Sequence, residues 1–252
     1  MVFGFFNKRR RRKVLEEPFA PAWRQVIAGR CFLHACLDET QRHQHEDLIK
    51  LILAEKTFEG CGGLEIDDEI QLTVAAWASL LLLGRETDIY PRLDSILIYP
   101  TSFGVASEVM QEGGFVTEEE TELLGESSYV GALALSWEDI LEDLGHPEDG
   151  LNVILHEFAH QLDDETGEGN GTPHLDSPRE IAGWNEVMGR EYERHCQAVY
   201  TGRRTLIDEY GAENPAEFFA VVTEAYFLRP DQLRRKHPEL YGVLAGYFVA
   251  GG

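Results

Sequence analysis

The chain has 252 residues, of which 43% are hydrophobic, and these proportions suit a globular protein with a sizeable core. Its formal net charge of −23 argues against nucleic acid as a main partner, because such a field repels phosphates. Solubility is the ordinary consequence of this charge.

The cysteines and the N-terminus predict a cytoplasmic protein. The cysteines form no CxxC pair and no disulfide-framework spacing, so we expect reduced thiols that bind no metal: Cys31, Cys36, Cys61 and Cys196. No apolar run approaches the length of a membrane span. Apolar residues precede the basic ones at the N-terminus, the reverse of a secretory signal peptide. We therefore expect no transmembrane segment and no export.

The first 20 residues are predicted to form a basic, aromatic tail, and residues 21–252 a single domain. Lys8 to Lys13 reads KRRRRK, an uninterrupted run of positive charge. Such a run is usually solvated or folds back onto an acidic domain, although the flanking aromatic residues also allow contact with an anionic membrane or nucleic acid. No repeat or linker divides the remainder.

Three scaffold helices are predicted before the first strand. Apolar residues recur at intervals of three and four over 22–37, 40–56 and 67–83, the spacing of one helical face. Asp67 to Glu69 open the third helix at its positive end. The histidines in this region show no HExxH-like pairing, so we expect them at the surface or at helix caps: His34, His43 and His45.

Two strands are predicted in the middle of the chain, with a looser β region between them. Ser95 to Tyr99 has the length and β-branching of a short strand. Tyr129 to Trp137 places larger residues on one face and small ones on the other. We expect a small mixed sheet, in which the second strand lies in the core or offers an edge to which an extended peptide adds as another strand.

The strongest chemical signal lies between Asn152 and Asp163. His156-Glu157-Phe158-Ala159-His160 is an HExxH motif in a segment with helical apolar spacing. On a helix the two imidazoles lie one above the other, so both can bind one Zn²⁺ ion. Glu157 is rotated by about 100° from His156, within reach of a water molecule as the general base of a metallopeptidase. The alternative is a surface helix with paired polar residues.

Two further segments follow the motif. The polar, glycine-rich stretch from Asp163 to His174 is expected as a loop near the mouth of the site. Pro178 opens a long helix that ends near Tyr200.

A catalytic zinc takes three protein ligands, so the motif needs one more donor. The best candidate is Glu217, in a helix that Asn214 caps and Pro215 begins. Asn214 and Glu217 also fit a variant of the capping box, which needs no metal. The residues alone leave other donors open: Asp163, Asp164, His174 and Glu224.

Several segments together resemble the Mlc titration factor A family of zinc-dependent peptidases. They are HEFAHQLD, the later NPAEFFAVVTEAYF and the REIAGW segment between them. The likeness covers nearly the whole chain, including the basic N-terminus and VGALALSW. A remoter likeness is to the catalytic domain of anthrax lethal factor, which shares an HEFxH helix and a tyrosine seven residues before the glutamate of an AEFF sequence. These paired motifs are more specific than HExxH alone.

The resemblance implies a role for each site residue: His156, His160 and Glu217 as ligands of one zinc ion, Glu157 as general base and acid, and Tyr210 as a donor to the oxyanion. It implies a zincin-like fold. The residues themselves predict a mainly helical α+β fold with a small sheet, an HExxH helix and a separate ligand helix. Family members act as cytosolic, aminopeptidase-like enzymes on small substrates. They also bind the glucose repressor Mlc and so relieve the repression of sugar uptake.

Two functions from different classes follow. The first is a zinc peptidase that hydrolyses peptide substrates. The second is a regulatory binding protein that sequesters a transcriptional repressor of the Mlc type, with peptidase activity secondary. A purely structural zinc site is disfavoured, because it needs a fourth protein ligand.

Overall fold

The computed structural model describes residues 2–85, 88–101, 131–167 and 169–248. Within these ranges the chain is mainly helical, with three short strands. The elements run in the order α1 Val2–Glu16, α2 Pro21–Arg30, α3 Leu33–Cys36, α4 Glu39–Glu55, β1 Thr57–Gly60, α5 Asp68–Leu80, β2 Ser95–Tyr99, β3 Ala132–Ser136, α6 Trp137–Gly145, α7 Val153–Asp163, α8 Pro178–Tyr200, α9 Pro215–Leu228, α10 Pro230–Lys236 and α11 Pro238–Phe248.

The three strands form one parallel sheet with β2 in the middle. Ile96 of β2 is fully buried and pairs with Phe58 on one side and Leu133 on the other. The predicted strand at Ser95–Tyr99 is confirmed. The prediction of a mixed sheet was wrong. Helix α5 connects β1 to β2, and a crossover of this kind returns the second strand in the direction of the first.

β3 is shorter than the strand predicted from Tyr129. It begins at Ala132 and ends at Ser136, because the Ser136 hydroxyl accepts a hydrogen bond from Asp139 N and caps the helix that starts at Trp137. Tyr129 and the looser β region predicted between the strands lie outside the described residues. In the ranges given above, β3 pairs with β2, and peptide addition at its other edge stays a prediction.

The helix predicted over 22–37 is divided into α2 and α3. The break after Arg30 leaves its carbonyl free to accept a hydrogen bond from Trp77 Nε1 at 2.9 Å. Trp77 is fully buried in α5, where the indole N–H needs a partner. The helices predicted over 40–56 and 67–83 are confirmed as α4 and α5.

His34 and His45 lie in the interior, and the expectation that they occupy the surface was wrong. Their Nδ1 atoms are 2.9 Å apart, and His45 Nε2 donates to the Ala76 carbonyl at 2.8 Å. His45 lies one turn before Ile49 on the buried face of α4, which carries it inside. His43 is exposed, as predicted.

The basic run lies in helix α1, which packs along α4. Arg11 pairs with Glu55 at 2.5 Å and with Asp88 at 3.0 Å, so part of the run folds back onto the acidic body. The Arg12 side chain is 82% exposed. The division into tail and single domain stays a prediction. None of the helices in the described ranges has the length and apolar character that a membrane crossing requires.

Helix α7 lies in the core and packs against α5 and α9. Five of its apolar side chains are almost entirely buried: Ile154, Leu155, Phe158, Ala159 and Leu162. Burying one Leu or Phe side chain contributes about 1.5–3 kcal/mol, so this face fixes the position of the helix. The buried stretch of α9 from Phe218 to Tyr226 packs beside it. The predicted mainly helical α+β architecture is confirmed.

Candidate metal centre

Three donor atoms converge between α7 and α9. His156 Nε2 is 3.0 Å from Glu217 Oε2, and His160 Nε2 is 3.3 Å from the same oxygen. The two Nε2 atoms are 3.2 Å apart. Among the described residues these three side chains form the group of His, Cys, Asp or Glu that could hold a metal ion. We refer to them as the donor group.

Local capping fixes the start of α7. Leu155 N donates to Asn152 Oδ1 at 2.9 Å, and Val153 N donates to Asp143 Oδ2 at 2.7 Å. Both bonds satisfy amides that a helix N-terminus leaves unpaired. The helix then places His156 and His160 one turn apart on one face, as predicted.

A second cap orients the carboxylate. Asn214 Oδ1 accepts from Ala216 N at 2.9 Å and from Glu217 N at 3.0 Å, and Pro215 occupies the first helical position. In a capping box the Glu217 side chain would turn back to the Asn214 amide. Instead it faces His156, so the capping alternative does not account for its position.

The spacing of the donor group fits a tetrahedral zinc ion. Zinc bonds of about 2.0–2.1 Å place two tetrahedral ligands roughly 3.3–3.4 Å apart. The observed separations are 3.0, 3.2 and 3.3 Å. Two imidazoles and one carboxylate also match the donor set of His₂Glu peptidase sites, which keep a fourth position open.

The donor group is strongly coupled electrostatically. Burial alone would lower the pKa of His156, but its hydrogen bonds with Glu217 and Glu224 raise that pKa to about 10. Burial would raise the pKa of Glu217, but its hydrogen bonds with His156 and His160 lower it to about 2. A metal ion would therefore compete with a proton for His156.

Glu224 lies behind His156, on the side of the ring away from Glu217. His156 Nδ1 donates to Glu224 Oε2 at 3.1 Å, and Asn152 N donates to Glu224 Oε1 at 2.7 Å. This carboxylate holds the proton on Nδ1 and leaves the Nε2 lone pair for the donor group. From the sequence we expected Glu224 only as a rival ligand. Its spacing of two helical turns after Glu217 was the available signal.

The other rival ligands lie away from the donor group. Asp163 is fully buried and its Oδ2 accepts from Gly171 N at 2.7 Å. Asp164 faces Arg92 at 3.4 Å. His174 is exposed. Of the candidates that the residues left open, Glu217 is thus the one that meets both histidines.

Gly171 holds the loop after α7 beside the site. Its φ of +81° lies in the left-handed region that favours glycine, and a Cβ there would meet the carbonyl oxygen of Pro215 at the start of α9. Trp184 Nε1 donates to the Gly171 carbonyl at 3.0 Å. The loop therefore lies near the mouth of the site, as expected from the sequence.

Glu157 and Tyr210 are the other two predicted site residues. Burial raises the pKa of Glu157, and the charges of the two motif histidines act in the opposite direction. The Tyr210 ring lies 6.0 Å from the His156 ring, between centroids, and the residue is 45% exposed. Burial and the nearby carboxylates raise the pKa of Tyr210, so its hydroxyl stays protonated.

Two cavities are lined in part by the donor group. One of about 660 Å³ is bordered by His160, Glu217 and the loop residue Asn170. The second, of about 220 Å³, is bordered by His156, by Tyr210 and by four carboxylates: Asp139, Asp143, Asp208 and Glu224. Clefts of this size accommodate small organic groups or segments of a peptide.

Comparison with known proteins decides the family. The profile described as glucose-regulated metallo-peptidase M90 matches residues 5–249. The chain belongs to this family. The M90 chain is 40% identical over 240 residues to an uncharacterised protein of Synechocystis sp., covering 95% of this chain and 87% of that protein.

Two relatives with a descriptive name show lower identity. The M90 chain is 29% identical over 222 residues to Mlc titration factor A of Klebsiella pneumoniae, covering 87% of this chain and 82% of that protein. It is 30% identical over 218 residues to Mlc titration factor A of Escherichia coli, covering 83% and 79%. The predicted membership of the Mlc titration factor A family is confirmed. The protein thus belongs to a metallopeptidase family and carries a candidate metal-binding group.

Proposed function

We propose that this M90 family member is a zinc-dependent peptidase. The proposal rests mainly on the convergence of His156, His160 and Glu217, whose donor atoms are 3.0 to 3.3 Å apart. In the proposed site these three side chains hold one Zn²⁺ ion. Bound zinc would polarise the substrate carbonyl and lower the pKa of a water molecule.

Glu157 moves the protons in the proposed reaction. It lies on the helix face beside the two histidines and accepts a proton from the attacking water. It then delivers that proton to the leaving amine as the peptide bond breaks. A pKa raised by burial suits both steps, because the carboxyl group must first take up the proton and then hold it until the amine departs.

Tyr210 and Glu224 support the same step from two sides. The Tyr210 hydroxyl donates a hydrogen bond to the substrate carbonyl oxygen as that oxygen becomes negative. Its raised pKa keeps the proton available for donation at neutral pH. Glu224 fixes the ring of His156 through Nδ1, so that Nε2 faces the substrate side.

The proposed substrates are short peptides with a free amino terminus, as the family resemblance implies. The cavity of about 220 Å³ beside His156 supports this choice, because its four carboxylates favour a positively charged amino group. The proposed location is the cytoplasm. It is supported by four cysteines that remain free thiols in the structure.

Metal analysis and a peptide panel test the proposal. We expect about one zinc per chain in the purified protein. Glu157→Gln should keep the zinc and reduce hydrolysis by roughly 10²–10⁴-fold, because it removes the general base. Glu148→Gln, at an exposed position outside the site, is the matched control and should keep full activity. Hydrolysis by Glu157→Gln at the wild-type rate would show that the mechanism is wrong.

A second candidate function is the sequestration of a transcriptional repressor. Relatives of the chain carry the name Mlc titration factor A. We propose a repressor of the Mlc type as a binding partner that links this chain to sugar uptake. Size-exclusion chromatography of the zinc-loaded Glu157→Gln variant with such a repressor tests this role. Because this variant is expected to be inactive, a complex shows that binding of the repressor does not require hydrolysis, and two separate peaks contradict the role.

A further inference from the structure

One buried imidazole has no part in the proposed reaction. His195 lies on α8 and is 4% exposed. Its Nε2 atom is buried without a hydrogen-bond partner among the described residues. Leaving such a group unsatisfied costs about 1–3 kcal/mol. An apolar side chain at this position would avoid that cost, so the surroundings of the ring are informative.

The His195 ring lies under the turn that carries Tyr210. This turn is a single 3₁₀ helix, Glu209–Ala212. A methyl group added at Gly211 would lie 3.4 Å from His195 Nε2, so the backbone next to Tyr210 rests directly on the ring. The backbone of Asp208, directly before the turn, also faces the ring.

Two neighbours of His195 on α8 hold the other end of the turn. Tyr192 Oη donates to the Ala212 carbonyl at 3.3 Å, and Cys196 Sγ donates to the same oxygen at 3.7 Å. Residues 192, 195 and 196 occupy one face of the helix. This face therefore contacts the turn on both sides of Tyr210.

The same ring also reaches the ligand helix. His195 packs against Phe218 with ring centroids 5.7 Å apart and planes inclined by 37°. Phe218 directly follows Glu217, the carboxylate of the donor group. One imidazole thus contacts the turn of Tyr210 and the residue beside Glu217, and it can set the distance between them.

The Tyr210 hydroxyl depends on this support. Its side chain is 45% exposed, and no hydrogen bond from its hydroxyl is found within the described ranges. Within the described ranges, the turn and the neighbouring His156 ring determine where the phenol points. A displacement of about 1 Å in such a group can cost roughly 10²-fold in rate.

We propose that His195 is a positioning residue for Tyr210, acting through the turn Glu209–Ala212. This inference rests on the proposed function, in which Tyr210 donates to the substrate carbonyl. His195 touches neither the substrate nor the donor group. It holds the turn in the position that directs the Tyr210 hydroxyl toward the substrate carbonyl oxygen.

A double-mutant cycle tests the inference. The zinc-loaded proteins compared are wild type, His195→Phe, Tyr210→Phe and the double variant. Phenylalanine keeps the packing on Phe218 and removes both ring nitrogens. We expect His195→Phe to lower kcat about tenfold with KM within about twofold. In the Tyr210→Phe background the same substitution should have no further effect, because the hydroxyl is already absent.

Two further variants separate positioning from general damage. His195→Asn returns a polar N–H group beneath the turn and should recover most of the lost kcat. Met188→Leu, at another buried position of α8, should leave kcat unchanged. Equal losses from His195→Phe with and without the Tyr210 hydroxyl would overturn the inference, because they indicate a general structural defect.

Hydrogen exchange of the metal-free proteins gives a readout independent of activity. Amides of the turn should exchange faster in His195→Phe than in Met188→Leu, and unchanged exchange would overturn the inference. Failure of the proposed function has a different signature, since zinc-loaded wild type would then hydrolyse none of the peptides. In that case the exchange comparison alone decides whether His195 supports the turn.

Discussion

The chain has two close histidine pairs, a first pair of His34 with His45 and a second pair of His156 with His160. The pKa values of the first pair and the pKa of His156 are shifted in opposite directions. Burial lowers the pKa of His45 to about 4 and also lowers the pKa of His34. His156 experiences the same burial, but hydrogen bonds with two carboxylates raise its pKa to about 10. Glu46, a carboxylate whose charge acts on both His34 and His45, accepts two hydrogen bonds from Arg24 at 2.6 and 2.7 Å.

The difference shows what converts a histidine pair into a candidate metal centre. The imidazoles of both pairs approach within 3.2 Å. Only around His156 do carboxylates face both ring nitrogens, Glu217 on one side and Glu224 on the other. A cation is stabilised where carboxylates are free to face it. Removing Glu217 or Glu224 should therefore weaken zinc binding by the second pair. Freeing Glu46 should raise the pKa of His34 in the first pair.

The largest effect is expected from Glu217→Ala. This substitution removes the oxygen that both imidazoles share, so we expect zinc content to fall from about one per chain to near zero and hydrolysis with it. Metal analysis after dialysis, together with the peptide assay, measures both. Glu46→Ala, beside the first pair, is the control and should keep zinc and activity. Zinc retained in Glu217→Ala would show that the third ligand is another residue.

Glu224→Gln should weaken the same centre without abolishing it. The amide keeps the volume of the side chain but loses the charge that holds the His156 Nδ1 proton. We expect zinc affinity or activity to fall by about 10–100-fold. Competition with a fluorescent zinc chelator gives the affinity. An unchanged affinity would indicate that the packing of α7 alone fixes the ring of His156.

Acid should destabilise the folded protein through His45 of the first pair. The folded-state pKa of His45 is about 4, compared with about 6.5 in an unfolded chain. Between these values the unfolded chain binds more protons than the folded one. The stability that comes from keeping His45 neutral is therefore fully present above pH 6.5 and is lost as the pH falls. We expect a loss of about 2 kcal/mol between pH 7 and pH 5, measured by urea unfolding.

His45→Leu is the matched control for the acid experiment. Its free energy of unfolding at pH 7 should be lower by about 1–3 kcal/mol, because the Ala76 carbonyl loses its donor. Its dependence on pH between 7 and 5 should be correspondingly weaker than that of wild type. Parallel pH profiles for the two proteins would show that His45 does not titrate in this range. Zinc content should be unaffected.

The smallest effect is expected from Arg24→Gln. This change frees the Glu46 carboxylate to interact with the first pair, and it also removes a positive charge that lowers the pKa of His34. Both changes should raise that pKa, moving His34 toward the behaviour of His156. A titration of the His34 ring protons by NMR measures the shift. A lowered pKa would contradict the role given to the free carboxylate.

Local patterns predicted most of the donor group. The i and i+4 spacing of His156 and His160 is a property of one helix, and Asn214 with Pro215 marked the start of the helix that carries Glu217. The choice of Glu217 over its rivals needed the fold, because it depends on how α9 packs against α7. The role of Tyr210 was predicted from the family resemblance, and no local pattern indicated it.

Long-range contacts account for what the sequence analysis missed. The role of Glu224 depends on Asn152 and His156, which lie far away in the sequence. The burial of His45 depends on α5 supplying the Ala76 carbonyl. The parallel direction of the strands depends on the path of their connections. The spacings of Glu224 from Glu217 and of His45 from Ile49 were local signals, but the partners that decide these roles belong to other elements.

The parallel sheet sets the order in which the chain can fold. β1 ends at Gly60 and β2 begins at Ser95, so pairing them closes a loop of about 35 residues, and β3 requires a second closure of similar length. Such non-local pairings form slowly, whereas helices form from local contacts. We expect the helices to become protected from hydrogen exchange first and β3 to become protected last, which makes this edge of the molecule the last to mature after synthesis.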